Sequence, residues 1–381
     1  MTTPSQRPRI HKDTTAQSKR PQDRDLALVP PTINTNPDAS YAYANRSWQG
    51  IPGLERTQKG RLWVTWYSGG TGEGSDNYVS AITSDDDGQS WSEPRVAVDS
   101  PGGFVRAYDP CLWIDPNGRL WLFWAQSFEF FDGRAGVWAI RCDDPDAASP
   151  TWSAPQRIAN GVMMNKPTVL RDGTWMAPTA VWDYCEPLAP ELDAERFSNL
   201  SCSRDQGKTW ELIPGGDVPE RQFDEHMLVE RKDGALWVLV RTTYGIGETL
   251  STDGGKTWTP GRDSGLGGPG SRFFIRRLRS GRLLLVNHHN FTKRNNLTAM
   301  LSDDDGATWT GHLLLDERDQ VAYPDGVESE DGQIYIIYDH DRYGDKEIML
   351  AVFREEDVAQ GKIVSQGSRL KQIISGVHAS S

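Results

Sequence analysis

Cysteine is scarce in this sequence, and long apolar runs are missing. The four cysteines show no metal-like spacing, so we expect buried free thiols in a reducing compartment. No apolar stretch follows the first residue, and no run is long enough to span a bilayer, which predicts a soluble, cytoplasmic protein. The cysteines are Cys111, Cys142, Cys185 and Cys202.

An excess of basic residues is also missing, since the net charge is −12. A general electrostatic attraction to nucleic acid or to an anionic membrane is therefore excluded, although a local basic pocket for an acidic ligand is not. No ligand cluster indicates a metal, and we predict no cofactor. The sequence does not indicate an oligomeric state.

Glycine and tryptophan are abundant, and they recur in one phrase. GRLWVTWYS, which begins at Gly60, has five further versions, each a glycine turn followed by a buried strand pattern. Six such copies, 47 to 61 residues apart, predict an all-β, six-bladed β-propeller as a single domain over residues 26–381. The turn glycines are Gly60, Gly118, Gly173, Gly234, Gly281 and Gly332.

The N-terminal residues lack this pattern. Residues 1–25 are polar without apolar periodicity, and we predict a disordered tail there. The apolar segment 26–32 is predicted to form a strand that completes the last blade and closes the ring.

A second repeat, S-x-D-x-G-x-x-W, alternates with the first. It occurs four times, beginning at Ser84, Ser203, Ser251 and Ser302. Serine and aspartate oxygens at this spacing can accept hydrogen bonds from backbone N–H groups while the glycine adopts positive φ. We interpret the repeat as a structural turn that fixes the outer strands of a blade.

The innermost strand of each blade should precede its turn glycine, with its first residues at the axis. Nine positions before the last five turn glycines, the sequence has Asp109, Met164, Glu225, Arg272 and Tyr323. Asn165 and Lys166 adjoin the second of these, while Ile51 and nearby Gln49 occupy the first blade's position. Convergence of an acid, a base and a phenol predicts a pocket at one end of the axis, in which Asp109 and Lys166 are expected to contact the substrate.

The four S-x-D-x-G-x-x-W turns resemble the Asp boxes of the sialidase superfamily, and the resemblance extends over roughly residues 45 to 350. It implies a six-bladed propeller with its active site at one end of the axis. EHMLVERKDGALWVLVR is similar to the segment that carries the family's glutamate and an arginine, which implies these roles for Glu225 and Arg241. AYPDGVESEDGQIYIIYD similarly implies Tyr323 as nucleophile, and KRNNLTAMLSDDDGATW implies Arg294 as a second carboxylate-binding arginine.

The resemblance leaves two positions open. The family's acid/base aspartate corresponds to Glu73, but Asp76 lies close by in GGTGEGSDNY and is slightly preferred because the family uses aspartate. The family's Y-R-I-P, whose arginine completes a three-arginine clamp, is replaced by Gln49-Gly50-Ile51-Pro52. Candidate replacements are Arg46, Arg106 and Arg272, or Gln49 with a neutral sugar.

We therefore expect an exo-glycoside hydrolase that removes a terminal, acidic sugar by a retaining mechanism. Two alternatives stay open. Histidines in the chain, especially His288 and His289, could act with Tyr323 as bases in β-elimination on a uronic-acid glycoside, and a binding propeller without activity would also use a glycan partner. His226 follows Glu225 directly, and neighbours on a strand point to opposite faces.

Overall fold

Six antiparallel sheets follow one another along the chain in a computed structural model, which describes residues 24–42, 45–183 and 189–376. Each sheet is one blade of a six-bladed β-propeller, so the predicted fold class is confirmed. In five blades the first strand is innermost and the following strands pair outward in chain order, whereas blade one carries an additional N-terminal strand at its outer edge. No helix in these residues is long and apolar enough to cross a membrane.

The first three blades contain thirteen strands. Blade one comprises β1 (Thr32–Asn34), β2 (Gln49–Arg56), β3 (Leu62–Ser68), β4 (Tyr78–Ser84) and β5 (Val96–Asp99). Blade two comprises β6 (Val105–Ile114), β7 (Leu120–Phe128), β8 (Ala135–Cys142) and β9 (Gln156–Asn160). Blade three comprises β10 (Thr168–Val169), β11 (Trp175–Ala180), β12 (Ser198–Ser203) and β13 (Glu211–Ile213).

The last three blades have four strands each. Blade four comprises β14 (Met227–Glu230), β15 (Leu236–Thr242), β16 (Gly245–Ser251) and β17 (Arg262–Asp263). Blade five comprises β18 (Phe274–Arg277), β19 (Leu283–His288), β20 (Leu297–Ser302) and β21 (Thr310–Asp316). Blade six comprises β22 (Val321–Glu328), β23 (Ile334–His340), β24 (Glu347–Phe353) and β25 (Arg369–Gly376). Helix α1 (Glu355–Gln360) and 3₁₀ helices at Asp25–Leu28, Ala39–Tyr41 and Pro190–Glu195 lie outside the sheets.

Each repeated glycine lies in the turn that joins the innermost strand of a blade to the next strand outward. All six have positive φ, between 77° and 103°, a conformation that favours glycine. The strands that follow them are buried along their length, as in β3 and β15. Aromatic side chains of neighbouring blades pack against each other; for example, the ring centroids of Trp113 in blade two and Trp175 in blade three are 4.8 Å apart. The hydrophobic pattern of the repeat therefore builds the core between blades.

The S-x-D-x-G-x-x-W repeats form the expected turns. In the last one, Ser302 Oγ accepts the Gly306 N–H at 2.8 Å, and Asp304 accepts the backbone and hydroxyl donors of Thr308. The Thr308 donors lower the pKa of Asp304 to about 2. The aspartate carboxylates thus accept hydrogen bonds from within their own turns, which explains the repeat as a structural feature.

The N-terminal segment was predicted to close the ring, and this prediction is wrong. Residues 25–28 form a 3₁₀ helix, and β1 pairs with β5 at the outer edge of blade one, with Ile33 opposite Val98. The ring is closed instead by side chains of blade six. Asp325 Oδ2 accepts the Leu54 N–H at 2.9 Å, and Asp339 Oδ2 accepts the Ile51 N–H at 3.0 Å. Most of the predicted tail, residues 1–23, lies outside the described residues.

Candidate active site

Irregularities in the inner strands place the predicted residues at the axis. The pairing registers of β2, β6 and β22 shift at Ile51, Asp109 and Tyr323, and these residues have φ of 57°, 47° and 57°. Each is followed by a proline, which has no N–H to donate to the ladder and is tolerated in sheets at such bulges. Left-handed backbone at non-glycine residues is costly and clusters at functional sites. The prolines are Pro52, Pro110 and Pro324.

Tyr323, Glu225 and Arg241 meet at this end of the axis. The phenol oxygen of Tyr323 lies 3.1 Å from Glu225 Oε1. Arg241 Nη1 donates to the phenol oxygen at 3.2 Å and to Glu225 Oε1 at 2.7 Å. All three side chains are buried. Glu225 Oε2 has no hydrogen-bond partner among the described residues, so this carboxylate retains an unused acceptor.

The electrostatics keep the phenol protonated. Burial, followed by the charge of Glu225, raises the pKa of Tyr323 above 10, while Arg241, Arg342 and Arg294 oppose the shift. A neutral phenol beside a carboxylate acceptor can lose its proton as it attacks an electrophile. The arrangement therefore places a neutral phenol in contact with a carboxylate that can accept its proton.

Two further guanidinium groups lie over the Tyr323 ring. The Cζ atoms of Arg294 and Arg342 are 5.5 Å and 4.5 Å from the ring centroid. Sequence reasoning identified Arg294 but missed Arg342, which lies in the loop after β23. Three cations around one ring can hold an anionic ligand through charge-assisted hydrogen bonds.

The two candidate acids have different surroundings. Glu73 is 19% exposed, and its Oε1 lies 3.5 Å from Arg342 Nη1. Asp76 is exposed and lies beside Gly70 of its own loop. Asn77 holds this loop closed, because its side chain accepts from the Gly74 N–H and donates to two carbonyl groups. The geometry favours Glu73 over the slightly preferred Asp76.

Asp109 and Arg106 lie on the second blade's side of the site. Burial raises the pKa of Asp109 to about 8; Glu225 and Glu73 add to the shift, while Arg106 opposes it. The guanidinium of Arg106 stacks on the Tyr108 ring, with Cζ 3.6 Å from the centroid, and two of its nitrogens have no hydrogen-bond partner among the described residues. Asp109 thus lies close enough to Glu225 and Glu73 for their charges to act on it.

Lys166 and Arg272, predicted as substrate contacts, lie instead in a buried network between the blades. Lys166 Nζ donates to the carbonyl groups of Leu54 and Leu112 and lies 3.2 Å from carboxylate oxygens of both Glu55 and Asp325. Burial disfavours the charge on Lys166, but Asp325 and Glu55 keep its pKa above its usual value.

Arg272 is used in the same way. It is fully buried and donates to Asn165 Oδ1 at 2.7 Å and to the carbonyl oxygens of Met164 and Pro52. Because these donors are bonded to the protein itself, the network joins the blades beneath the site. Neither cation replaces the missing arginine in this structure.

Gln49 and Arg46 also have structural partners. Gln49 Nε2 donates to the Lys346 carbonyl at 2.8 Å, and its Oε1 accepts from the Ser375 hydroxyl. Arg46 donates to the Tyr41 carbonyl from Nε and Nη2. Both side chains are buried, so the structure does not bring them to the Tyr323 phenol.

The histidines of the elimination alternative do not contact Tyr323. In the described part of the chain, the phenol's hydrogen-bond partners are Glu225 and Arg241. Both ring nitrogens of His226 lie within 2.8 Å of backbone carbonyl oxygens. His288 is buried with Nδ1 2.8 Å from the Asn295 carbonyl, and His289 packs against His312.

Fold and site together define a propeller of the sialidase superfamily. Residues 60–336 match the family model described as the BNR repeat-like domain, and the chain belongs to this family of BNR-repeat propellers.

Known sialidases are similar to the chain at low identity. A sialidase of Bacteroides fragilis is 25% identical over 320 residues, which cover 72% of this chain and 56% of that protein. The chain thus spans little more than half of this relative. Among solved structures, the Hadza microbial sialidase Hz136 matches with a TM-score of 0.66 at 20% identity. The matched region covers 84% of this chain and 68% of the Hz136 chain. The intramolecular trans-sialidase from Ruminococcus gnavus matches with a TM-score of 0.62 at 15% identity, and the matched region covers 85% of this chain and 98% of that one.

Proposed function

We propose that the chain is a glycoside hydrolase that releases a terminal, carboxylate-bearing sugar, sialic acid or a related acidic sugar, with retention of configuration. The contact of the Tyr323 phenol with Glu225 and Arg241 is the observation that carries the proposal. A phenol nucleophile suits an acidic sugar because, unlike a carboxylate, it does not repel the substrate's negative charge. Similarity to proteins named sialidases supports the same reaction class.

In the first step, the Tyr323 oxygen attacks the anomeric carbon while Glu225 Oε1 takes the phenolic proton. The glycosidic bond breaks, and Glu73 gives a proton to the departing oxygen. The product of this step is a sugar covalently bound to Tyr323. Arg241 holds Glu225 in place and donates to the phenol oxygen.

In the second step, Glu73 takes a proton from water, and the water oxygen attacks the anomeric carbon. The bond to Tyr323 breaks, and Glu225 returns the proton to the phenolate. Arg241 Nη1 stabilises the negative charge that develops on this oxygen, as preorganised donors do in enzymes. Two displacements at one carbon give overall retention.

Product analysis by mass spectrometry tests the proposal. The purified chain would be incubated with glycosides of sialic acid, other ulosonic acids, uronic acids and rhamnose, in parallel with Tyr323→Phe and Glu225→Gln. We expect a free acidic sugar that contains one added water, and its loss in both variants. A product that is lighter by one water and carries a new double bond would indicate elimination, and an absence of turnover with retained glycan binding would indicate a binding propeller. Either result contradicts the proposal.

A further inference from the structure

We propose that Arg342 is the third guanidinium of the substrate-carboxylate site, and that Gly50 exists at its position to make room for it. The inference rests on the proposed function, because it names the side chain that selects a carboxylate-bearing sugar. The chain would then have moved one cation of the site from the first blade to the sixth.

The loop that carries Arg342 is fixed in place. Asp341, which follows β23, has φ of 43°, and its carbonyl accepts the N–H groups of Gly344 and Lys346 at 2.9 Å and 2.8 Å. The Lys346 carbonyl in turn accepts from the Gln49 side chain of blade one. The loop is thus attached to the blade that carries Gly50.

The side chain of Arg342 runs directly past Gly50. A Cβ atom added at Gly50 would overlap Cδ of Arg342 and would lie 2.9 Å from its Cγ. Real Cβ atoms essentially never make such contacts, so the two positions cannot both carry a side chain in this arrangement. An arginine at position 50 would therefore require the side chain of Arg342 to move from its place.

The guanidinium of Arg342 is positioned to take an anion. Its side chain is 12% exposed, its Cζ lies 4.5 Å from the Tyr323 ring centroid, and its Nη1 makes no hydrogen bond within the described residues. Glu73 Oε1 lies 3.5 Å from Nη1, and Asp339 Oδ2 lies 3.6 Å from Nε, and both distances exceed the usual length of a charge-assisted hydrogen bond. Donors thus remain for a ligand.

Arg241 and Arg294 complete the set from blades four and five. Arg241 Nη1 donates to the Tyr323 phenol at 3.2 Å, and Arg294 Cζ lies 5.5 Å from the same ring. Arg294 Nη2 donates to the Gly270 carbonyl at 3.2 Å, a contact that brings no carboxylate to its charge. Three guanidinium groups from consecutive blades therefore surround one ring, where the sugar's carboxylate would lie.

The test measures binding of two probes by calorimetry: 2,3-didehydro-2-deoxy-N-acetylneuraminic acid and its methyl ester, which lacks the charge. The variants are Arg342→Ala, Arg342→Gln, Gly50→Arg and the double variant Gly50→Arg/Arg342→Ala. Arg279→Ala serves as a matched control, because this exposed arginine lies in the hairpin turn at the opposite end of blade five. Thermal unfolding checks that each variant is folded.

We expect Arg342→Ala and Arg342→Gln to weaken binding of the acid about 10- to 100-fold, the usual loss for a hydrogen bond to a charged group. Binding of the ester should change far less. Gly50→Arg alone should also weaken acid binding because it collides with Arg342, and the double variant should bind the acid better than either single variant.

Equal losses for acid and ester, or a double variant no better than the single ones, would overturn the role of Arg342. Tyr323-dependent cleavage could still persist in that case, so the proposed hydrolysis would stand. Arg342-dependent binding of the acid without cleavage of any glycoside would support this inference and contradict the hydrolysis. If the wild-type chain binds neither probe, the inference is wrong.

Discussion

The phenol oxygen of Tyr323 lies 3.1 Å from Oε1 of Glu225, a contact between the sixth and fourth blades that spans 98 residues of sequence. It depends on two local features: the bulge that gives Tyr323 a φ of 57°, and positive φ at Phe223 and Asp224, just before Glu225. The blades themselves supply a rigid frame. The phenol and the carboxylate are therefore held in contact by irregular backbone in or next to regular strands.

The first prediction separates the two candidate acids. Glu73→Gln should lower kcat/KM for an unactivated glycoside about 10²- to 10⁴-fold, because the leaving oxygen loses its proton donor. An aryl glycoside should lose much less, since its leaving group departs without protonation. Asp76→Asn should leave both values near the wild type. The reverse pattern, with the loss confined to Asp76→Asn, would assign the acid to Asp76.

The second prediction concerns pH and Asp109. Burial raises the pKa of its carboxyl group from 3.8 to about 8 in the folded chain, so the folded state binds a proton that the unfolded state has lost. The free energy of unfolding should therefore fall as pH rises between these values, by at most about 1.4 kcal/mol per pH unit from this group.

Asp109→Asn removes this dependence. The free energy of unfolding of the wild type and of the variant is measured in urea at a series of pH values, and the variant's value is subtracted from the wild type's at each pH. This difference should decline as pH rises towards 8 and then become constant. A difference that is independent of pH, or that increases, would contradict a protonated Asp109.

The third prediction tests the buried network. Lys166→Met should lower the free energy of unfolding by about 3 to 5 kcal/mol, because Asp325 and Glu55 would lose their shared cation. Lys371→Met is the control, since Lys371 pairs with Glu317 at the surface and should matter by less than about 1 kcal/mol. Equal effects of the two substitutions, measured by chemical denaturation, would show that the network is not a major source of stability.

Local pattern accounts for what the sequence could predict. The glycine turns and buried strands repeat within short segments, so the number of blades and the order of their strands follow from residues that are neighbours in the chain. The same regularity located Glu225 and Tyr323, because each lies nine positions before a turn glycine.

What escaped prediction depends on contacts between distant segments. Arg342 lies beside Gly50 only because the ring closes between blades six and one, and no local pattern carries that information. Lys166 lies close to the same strand-start positions, but nearby carboxylates and carbonyl groups turn it into the interior. Likewise, a three-residue strand such as β1 fits the edge of more than one blade, and pairing with β5 decided its place.

The measurement that tests the central claim most directly is covalent trapping on Tyr323. The acidic sugar identified by product analysis would be prepared as its anomeric fluoride, with a second fluorine on the adjacent carbon. Fluoride is a good leaving group that aids formation of the glycosyl-enzyme, while the second fluorine slows its hydrolysis by destabilising the positively charged transition state.

Intact-protein and peptide mass spectrometry would locate the added sugar. We predict one sugar per chain, on the peptide that contains Tyr323, and no addition to Tyr323→Phe under the same conditions. A sugar attached to another residue, or cleavage by the wild type with inversion and no trapped species, would contradict Tyr323 as the nucleophile.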